Sequence, residues 1–269
     1  NYSAELWGYH KGPDVEIVHT KFCRKLLGVK KSTNVNALYG ELGRTPMFVQ
    51  RKLIMIKYWI KIITSNEQSL LFKVYNMLRI DAENGLNYKN SNWAYHVKCL
   101  LEECGLSFIW QNQFNNEVNF NIIKQRILDI YCQQWYSEII NSRRLEAYCL
   151  FKQSFKFESY LDFITEPKYR IALTRFRTSS HDLAIETGRY DNLNREDRLC
   201  NNCNSRLIEN EFHFLLTCGK YSELRSKYIK RYYCSWPTLK KFENLLLEKS
   251  IITIRNLSKF IYFANLQRQ

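Results

Sequence analysis

The sequence predicts a mainly α-helical protein whose helical body is set against one small cysteine-containing module. Apolar residues recur at the spacing of amphipathic helices through most of the chain. The 269 residues include only nine glycines and four prolines, about half the usual share, which argues against a turn-rich all-β fold. The helical pattern is interrupted at 188–220, where several asparagines and three close cysteines occur. We therefore expect helices on both sides of this segment.

The first part of the chain predicts two helices that are separated by a break. An apolar stripe at helical spacing predicts the first helix: Val15, Val18, Phe22, Leu26 and Val29. The glycine-containing stretch 39–44 predicts the break. Thr45 is then expected to cap the second helix, with Pro46 at its first position, where a missing N–H costs nothing. The apolar face from Val49 to Ile63 is so wide that we expect this helix to be central and buried.

Capping signals and apolar periodicity predict the remaining helices. Ser65 with Gln68 is a capping-box pattern for a helix near 66–80. Asn90 or Ser91 is expected to begin a helix that Gly105 ends. Periodicity predicts further helices near 119–141, 143–152, 159–164, 168–177, 220–233 and 238–265. Extended structure is expected only around 184–186 and 212–215. The predicted organisation is a helical region over 1–187, a module over 188–233 and a helical tail over 234–269.

The sharpest local motif is Cys200-Asn201-Asn202-Cys203 followed by His213 and Cys218, with the spacing C-x2-C-x9-H-x4-C. Two cysteines separated by two residues can place both thiolates on one metal ion, and the later His and Cys complete a tetrahedral Zn²⁺ site. Protein ligands then fill all four positions, which is typical of a structural rather than a catalytic zinc site. The alternative is three ordinary buried thiols beside an unrelated histidine, although four ligand types rarely coincide with this order and spacing.

Other patterns exclude several classes of protein. The nine cysteines are odd in number and no secretory signal accompanies them, so we expect reduced thiols and a cytoplasmic or nuclear protein that is not secreted. No apolar run approaches the roughly 20 residues of a membrane span, and no membrane association is expected. The sequence has no G-x-S-x-G elbow, phosphate-binding glycine loop or adjacent Asp-Asp pair. We therefore do not expect an enzyme.

The charge distribution points to a polyanionic partner. Forty Lys and Arg residues against 26 Asp and Glu residues give a net charge of +14, which suits nucleic acid or an anionic membrane surface. Because the cysteine module lies beside the basic residues, we expect nucleic acid. Basic residues concentrate in 1–64 and again around 168–198, where aromatic residues lie between them. Candidate phosphate contacts are Arg175, Arg177, Arg189 and Arg198, and candidate base-stacking residues are Tyr190 and Phe176. The alternative is that the charges are solvated helix faces and the aromatic rings belong to the core.

Eight blocks of sequence stand out along about 1–230: Ser3–Gly8, Val18–Cys23, Leu27–Thr33, Tyr39–Pro46, Arg175–His181, Ile185–Tyr190, Arg198–Cys203 and Glu211–Cys218. In content and order, these blocks resemble the region that follows the polymerase core in non-LTR (LINE-type) retrotransposon reverse transcriptases. The resemblance implies thumb-like and linker-like helices followed by a CCHC zinc module with the ligands Cys200, Cys203, His213 and Cys218. It carries over no catalytic residue, because in such proteins the catalytic aspartates lie upstream.

Two functions follow as hypotheses. The first is a non-catalytic nucleic-acid-binding portion of a reverse-transcriptase-like protein, which contacts RNA template or target DNA and works with an upstream reverse transcriptase domain. The second is a helical protein-interaction domain with a purely structural zinc site. The first predicts binding that weakens steeply with salt, whereas the second predicts weak, sequence-independent affinity for nucleic acid and a discrete protein partner.

Overall fold

A computed structural model describes residues 2–84, 92–114 and 118–268, and within them the chain is mainly helical. The α-helices are α1 (Ala4–Trp7), α2 (Pro13–Leu27), α3 (Val35–Leu42), α4 (Met47–Ile63), α5 (Leu70–Glu83), α6 (Trp93–Glu103), α7 (Ser107–Gln111), α8 (Phe120–Ile140), α9 (Glu146–Phe151), α10 (Tyr160–Phe163), α11 (Pro167–Arg177), α12 (Ala184–Thr187), α13 (Ser222–Tyr228), α14 (Arg231–Cys234), α15 (Leu239–Leu246) and α16 (Ile251–Arg268). Among these residues, β-pairing is limited to two isolated bridges, Leu42 with Phe157 and Leu199 with Ile208. The mainly helical fold is thus confirmed.

The chain divides into two compact units. The first comprises Asn1–His19 and Thr45–Trp135, and the second comprises Thr20–Arg44 and Tyr136–Gln269. The predicted segments 188–233 and 234–269 both lie in the second unit, and the division between them stays a prediction. None of the described helices is both long and apolar enough to cross a bilayer.

The core of the first unit is built around α4, as the width of its apolar face predicts. Trp59 and Ile56 are completely buried, whereas Lys57 and Lys61 on the narrow polar edge are exposed. Trp59 Nε1 donates a 2.8 Å hydrogen bond to the hydroxyl of Tyr75 on α5. That bond lets a buried indole satisfy its one donor inside an apolar core.

Helix α2 is confirmed, but its apolar stripe does not face a core. Val18, Phe22 and Leu26 are 67%, 54% and 55% exposed, whereas Cys23 and Leu27 on another side are buried. Periodicity detects an amphipathic helix but does not say which side of it the rest of the chain covers. The exposed side of α2 formed by Val18, Phe22 and Leu26 is the α2 stripe.

Three predicted helix boundaries are corrected by the structure. The stretch 39–44 is helical through Leu42, and only Gly43, at φ 55°, breaks the helix. Thr45 does not cap α4; its hydroxyl accepts a hydrogen bond from Gln50 instead. The cap of α5 is Ser69, whose hydroxyl accepts from the backbone N–H of Phe72, so the Ser65 pattern lies one turn too early.

The predicted start of the next helix at Asn90 or Ser91 lies outside the described residues. In the described part, α6 begins after Asn92, whose side-chain oxygen accepts from the N–H of Tyr95. Gly105 ends this helix as predicted, because at φ 68° it takes the left-handed conformation that residues with a side chain disfavour. The predicted helices near 119–141 and 168–177 correspond to α8 and α11. The region 238–265 is two helices, α15 and α16.

In the second unit, α11 packs along α16 over aromatic contacts. Phe214, from the segment that follows the cysteine pair, lies with its ring centroid 5.8 Å from that of Phe176 and 5.9 Å from that of Phe260. Both segments that the sequence predicts to be extended are helical: 184–186 belongs to α12, and 212–215 lies at a π-helical turn, His213–Thr217. Apolar runs this short do not distinguish strand from buried helix.

Candidate metal centre and the basic surface beside it

The four predicted metal ligands come together in the second unit. Ligand atoms of Cys200, Cys203, His213 and Cys218 all lie within 4.8 Å of one another. The Cys200 and Cys218 sulfurs are 3.9 Å apart, and the Cys203 sulfur is 3.4 Å from His213 Nε2. Typical Zn–S and Zn–N bonds in a tetrahedral site place two sulfurs about 3.8 Å apart and a sulfur and a nitrogen about 3.6 Å apart. The cluster therefore fits a metal ion of this size, held by protein at all four positions.

A tight backbone turn positions the two N-terminal ligands. The N–H of Cys200 donates to the carbonyl of Leu207 at 2.9 Å, and the N–H of Glu209 donates to the carbonyl of Arg198 at 2.9 Å. These two bonds flank the bridge between Leu199 and Ile208 and close the chain on itself. Because this turn folds the chain back on itself around the C-x2-C stretch, the thiols of Cys200 and Cys203 both face the cluster.

The π-helical turn positions the other two ligands. The N–H of Cys218 donates to the carbonyl of His213 at 2.8 Å, five residues earlier, which is the hydrogen bond of a single π turn. The backbone N–H of His213 donates to Asn210 Oδ1 at 2.8 Å, which fixes the entry to the turn. Arg225, on α13, donates to the carbonyls of Leu215 and Cys218, so the carbonyl groups at the end of the turn have a hydrogen-bond partner.

The ring of His213 is oriented by Thr217. His213 Nε2 is directed at the cluster, and the other ring nitrogen, Nδ1, lies 3.0 Å from the hydroxyl oxygen of Thr217. When Nε2 gives its lone pair to a metal, Nδ1 carries the proton and donates it to Thr217. Metal-bound histidines are commonly held in this way by a second hydrogen bond.

Glu209 joins the cluster to the end of α16. Its carboxylate accepts from Asn202 Nδ2 at 3.0 Å, lies 3.7 Å from the Cys200 sulfur and accepts from the backbone N–H of Ala184 at 2.7 Å. Arg268, near the end of α16, makes a two-pronged ion pair with the same carboxylate. Glu209 is only 1% exposed, so the arginine neutralises a buried charge beside a metal ligand.

Burial sets the acid–base behaviour of the thiols. It raises the pKa of Cys200 to about 12 and also raises the pKa of Cys218. Burial acts in the same direction on Cys203, but hydrogen bonds with Ser205 outweigh it and lower the pKa of that thiol. Because only the thiolate binds a metal, loading the site displaces protons from Cys200 and Cys218, and metal affinity falls as the pH falls.

The structure separates the six candidate nucleic-acid contacts into two groups. Arg175 is exposed, Arg189 is half-buried and Tyr190 is 61% exposed. The Tyr190 hydroxyl donates to the Ser32 hydroxyl at 3.0 Å, which holds the exposed ring in place. Arg198 is half-buried, and three of its N–H groups already donate to the carbonyls of Leu193 and Ile185. Its main visible role is to hold the loop before Cys200.

Two of the candidates are corrected, because they lie inside the protein. Phe176 is 3% exposed and packs on Phe214, so no base can reach its face. Arg177 is 6% exposed and pairs with both oxygens of the fully buried Glu41, at 2.9 and 3.1 Å. It also pairs with Glu158 at 3.0 Å. Arg177 is therefore part of a buried ionic network and offers no surface charge to phosphate.

The structure adds basic residues that were not among the six candidates. Arg143 and Arg144 lie between α8 and α9 and reach the loop that holds Arg189, since Arg189 donates to the carbonyl of Arg143 at 3.0 Å. Arg195 lies on the same side and pairs with Glu146. The adjacent Arg143-Arg144 pair directly after a long predicted helix is the sequence signal that could have found them.

Comparison with protein-family models, with curated proteins and with solved structures gives no match to this chain.

Proposed function

We propose that this chain is a non-catalytic nucleic-acid-binding portion of a reverse-transcriptase-like protein, in which a structural zinc ion holds a module against RNA template or target DNA. The observation that carries the proposal is that arginine side chains lie beside the Cys200–Cys218 cluster, in a cleft that they line together with the residues just before His213. Arg143 is exposed and Arg189 half-buried near the loop that leads into the cluster, and Tyr190 offers an exposed ring there. Guanidinium groups bind phosphates and aromatic rings stack on bases.

Zinc is the metal that the donor set favours. Three thiolates and one imidazole in a tetrahedral arrangement are typical of structural Zn²⁺ sites. Such a site contributes folding free energy, because the unfolded chain does not hold the four ligands together. In this proposal the metal takes no part in chemistry, and its role is to fix the loop that carries Arg189 and Tyr190. An upstream reverse transcriptase domain is the partner that the sequence resemblance implies.

Salt-dependent binding tests the proposal. We expect the purified zinc-loaded chain to bind short oligonucleotides at ~150 mM salt, with a log–log salt slope that corresponds to several displaced counterions. Fluorescence anisotropy of labelled RNA and DNA, single-stranded and duplex, measures both quantities. Undetectable binding at this salt concentration, or a flat salt dependence, would contradict the proposal.

The role of the metal is tested by removing one ligand. Cys203→Ser should lose zinc and lower oligonucleotide affinity about tenfold or more, because the module is no longer organised. Cys132→Ser is a matched control, since Cys132 is a half-buried thiol on α8 that does not belong to the cluster. Zinc content by atomic absorption accompanies each titration. Full affinity in a Cys203→Ser protein that has lost its zinc would exclude the module from binding.

A protein-interaction domain is the second candidate, and two exposed apolar faces favour it. One is the α2 stripe, and the other is on α5, where Leu70, Val74 and Met77 are 78%, 46% and 68% exposed. Exposed apolar patches commonly mark protein-binding surfaces. Phe22→Ser should then abolish capture of a discrete protein partner and leave oligonucleotide affinity unchanged. Loss of oligonucleotide affinity in this variant would contradict the separation of the two surfaces.

A further inference from the structure

A cleft of about 360 Å³ opens beside the metal centre, within the second unit. Its walls come from the turn between α8 and α9, from α12 and the loop after it, and from Phe212 just before the π turn. Its volume falls in the range of about 300–1,000 Å³ that is usual for pockets that hold small molecules. We call it the basic cleft, because four arginines line it: Arg143, Arg144, Arg189 and Arg195.

The acidic residues of the basic cleft already have partners. Glu186 is buried and pairs with Arg144 at 2.9 Å and with Arg189 at 3.1 Å. Glu211 is buried and its Oε1 lies 3.1 Å from His181 Nε2. Glu146 pairs with Arg195. These pairs orient Arg144, Arg189 and Arg195, and each of the three has more N–H donors than its carboxylate uses.

Arg143 is the cation that remains most available. Its side chain is exposed, and no hydrogen bond or ion pair of its guanidinium is found among the described residues. Arg195 pairs with Glu146, and its side chain is 47% exposed. The rim of the cleft therefore presents guanidinium donors to solvent, which is the arrangement that recognises a phosphate.

The floor of the basic cleft is apolar and aromatic. The Phe212 ring is half-buried and lies edge-to-face on Phe242, with ring centroids 5.9 Å apart. Phe242 is 1% exposed and Ile185 is 5% exposed, so both are fixed in the core beneath the cleft. Leu150, on α9, adds a partly exposed aliphatic wall. A flat ring can enter here and pack on Phe212 while a charged group stays at the arginine rim.

We propose that the basic cleft binds one unpaired nucleotide of a nucleic-acid strand, with its base against Phe212 and its phosphate on Arg143 and Arg195. This inference rests on the proposed function and adds the place and the form of the ligand. A base inside a duplex is stacked and paired, so it enters such a cleft only after it leaves the duplex. Single strands are therefore the preferred ligand, and the combination of a basic rim with an aromatic platform is typical of their binding sites.

Four variants test the basic cleft by fluorescence anisotropy. Arg143→Gln and Arg195→Gln remove rim charges, and Phe212→Leu removes the aromatic platform. Arg231→Gln is the matched control, since Arg231 is an exposed arginine on α14 that does not line the cleft. Because Phe212 precedes the ligand His213, zinc content is measured for each variant. The Arg143→Gln result stands independently if Phe212→Leu fails to hold zinc.

Three oligonucleotide ligands of one sequence are compared, as RNA and as DNA: a single strand, its duplex, and a single strand with abasic sites. We expect the wild-type chain to bind the single strand more tightly than the duplex and to lose affinity on the abasic strand. Phe212→Leu should lower single-strand affinity about 5- to 150-fold, the range for one stacked base. It should also show a smaller difference in affinity between the normal and the abasic strand than the wild type does, because Tyr190 remains as the other exposed ring. Arg143→Gln and Arg195→Gln should each lower the salt slope by about one counterion relative to Arg231→Gln.

The outcomes separate this inference from the proposed function. If the wild type binds no oligonucleotide, the proposed function fails. If it binds, but the cleft variants match Arg231→Gln and keep the full abasic penalty of the wild type, the basic cleft is excluded and the proposed function stands. Equal or tighter binding of the duplex likewise overturns the inference. Comparison of the RNA and DNA ligands then shows which of the two nucleic acids the cleft prefers.

Discussion

At the scale of single residues, Thr217 lies where a side chain outside the four candidate ligands can orient one of them. Its hydroxyl oxygen is 3.0 Å from His213 Nδ1, and accepting the Nδ1–H would select the tautomer that leaves Nε2 free for a metal. We expect Thr217→Val to lower zinc affinity about 10- to 100-fold, the range for loss of such a partner. Competition with a chromophoric zinc chelator measures the change. Thr217→Ser retains the hydroxyl and should restore affinity; an unchanged affinity in Thr217→Val would mean that Thr217 does not orient the ring.

The buried pair of Glu41 and Arg177 is a second residue-scale case. Burial raises the pKa of Glu41, but attraction and hydrogen bonds from Arg177 outweigh burial, so the pKa lies below the ordinary value of 4.5. A carboxyl with a lowered folded-state pKa stabilises the fold above the unfolded value, and this contribution disappears as the pH falls through the folded value. The pair therefore stabilises the protein at neutral pH and loses its effect in acid.

Glu41→Gln should lower the free energy of unfolding by about 3 kcal/mol at pH 7, because Arg177 loses its main partner in a buried site. The value is at the lower end of the usual range since Glu158 remains. Urea unfolding from pH 7 downward should show the difference from wild type shrinking below about pH 4.5. Glu243→Gln, which breaks the pair between half-buried Glu243 and exposed Lys240, is the control and should cost about 0–1 kcal/mol. A pH-independent difference would contradict this account.

At the scale of elements, the end of α16 supports the metal centre. Arg268 pairs with Glu209, which also holds Asn202 and lies against Cys200. Arg268→Gln should leave Glu209 as a buried unpaired charge, and we expect lower zinc affinity together with a lower Tm. Arg255→Gln is the matched control, since Arg255 lies on the same helix and its guanidinium donates to the carbonyl of Phe163. Equal zinc affinity in the two variants would show that α16 does not support the site.

Sequence patterns predicted where helices lie along the chain better than they predicted which side of each helix is buried. The apolar face of α4 is wide enough to define its buried side on its own, and the structure confirms it. The stripe on α2 is narrower, and whether it is covered depends on packing that no local pattern encodes. The segment 184–186 starts where the backbone N–H of Ala184 donates to Glu209, and 212–215 starts beside Asn210, which accepts from the N–H of His213. Neither bond leaves a periodic signal in the sequence, and the bond to Glu209 spans 25 residues.

The same distinction applies to the candidate site. The four ligands could be found from spacing, because a tetrahedral ion imposes a short-range rule on the chain. The basic contacts could not, because Arg175 and Arg177 are two residues apart and yet one is exposed and the other buried. Arg177 turns inward to pair with Glu41, more than a hundred residues away, and with Glu158. Charge alone does not separate a surface arginine from a buried one.

At the scale of the whole molecule, the two compact units predict a local response to metal removal. Chelation should expose amides in the cysteine turn, where the N–H groups of Cys200 and Glu209 are hydrogen-bonded. Amides of α4, in the other unit, should keep their protection. Hydrogen exchange followed by mass spectrometry, with and without a zinc chelator, measures both. Loss of protection in both regions together would show that the metal holds the entire chain.

The π turn has a consequence for the length of the chain between its last two ligands. His213 and Cys218 are joined by a hydrogen bond that spans five residues, so the interval between them is one complete π turn. Removing a single residue there would convert the turn to an α-helical one and rotate the second thiol by about 100° around the axis. Substitutions within this interval are therefore tolerable where they preserve packing, whereas a deletion or insertion changes the coordination geometry itself.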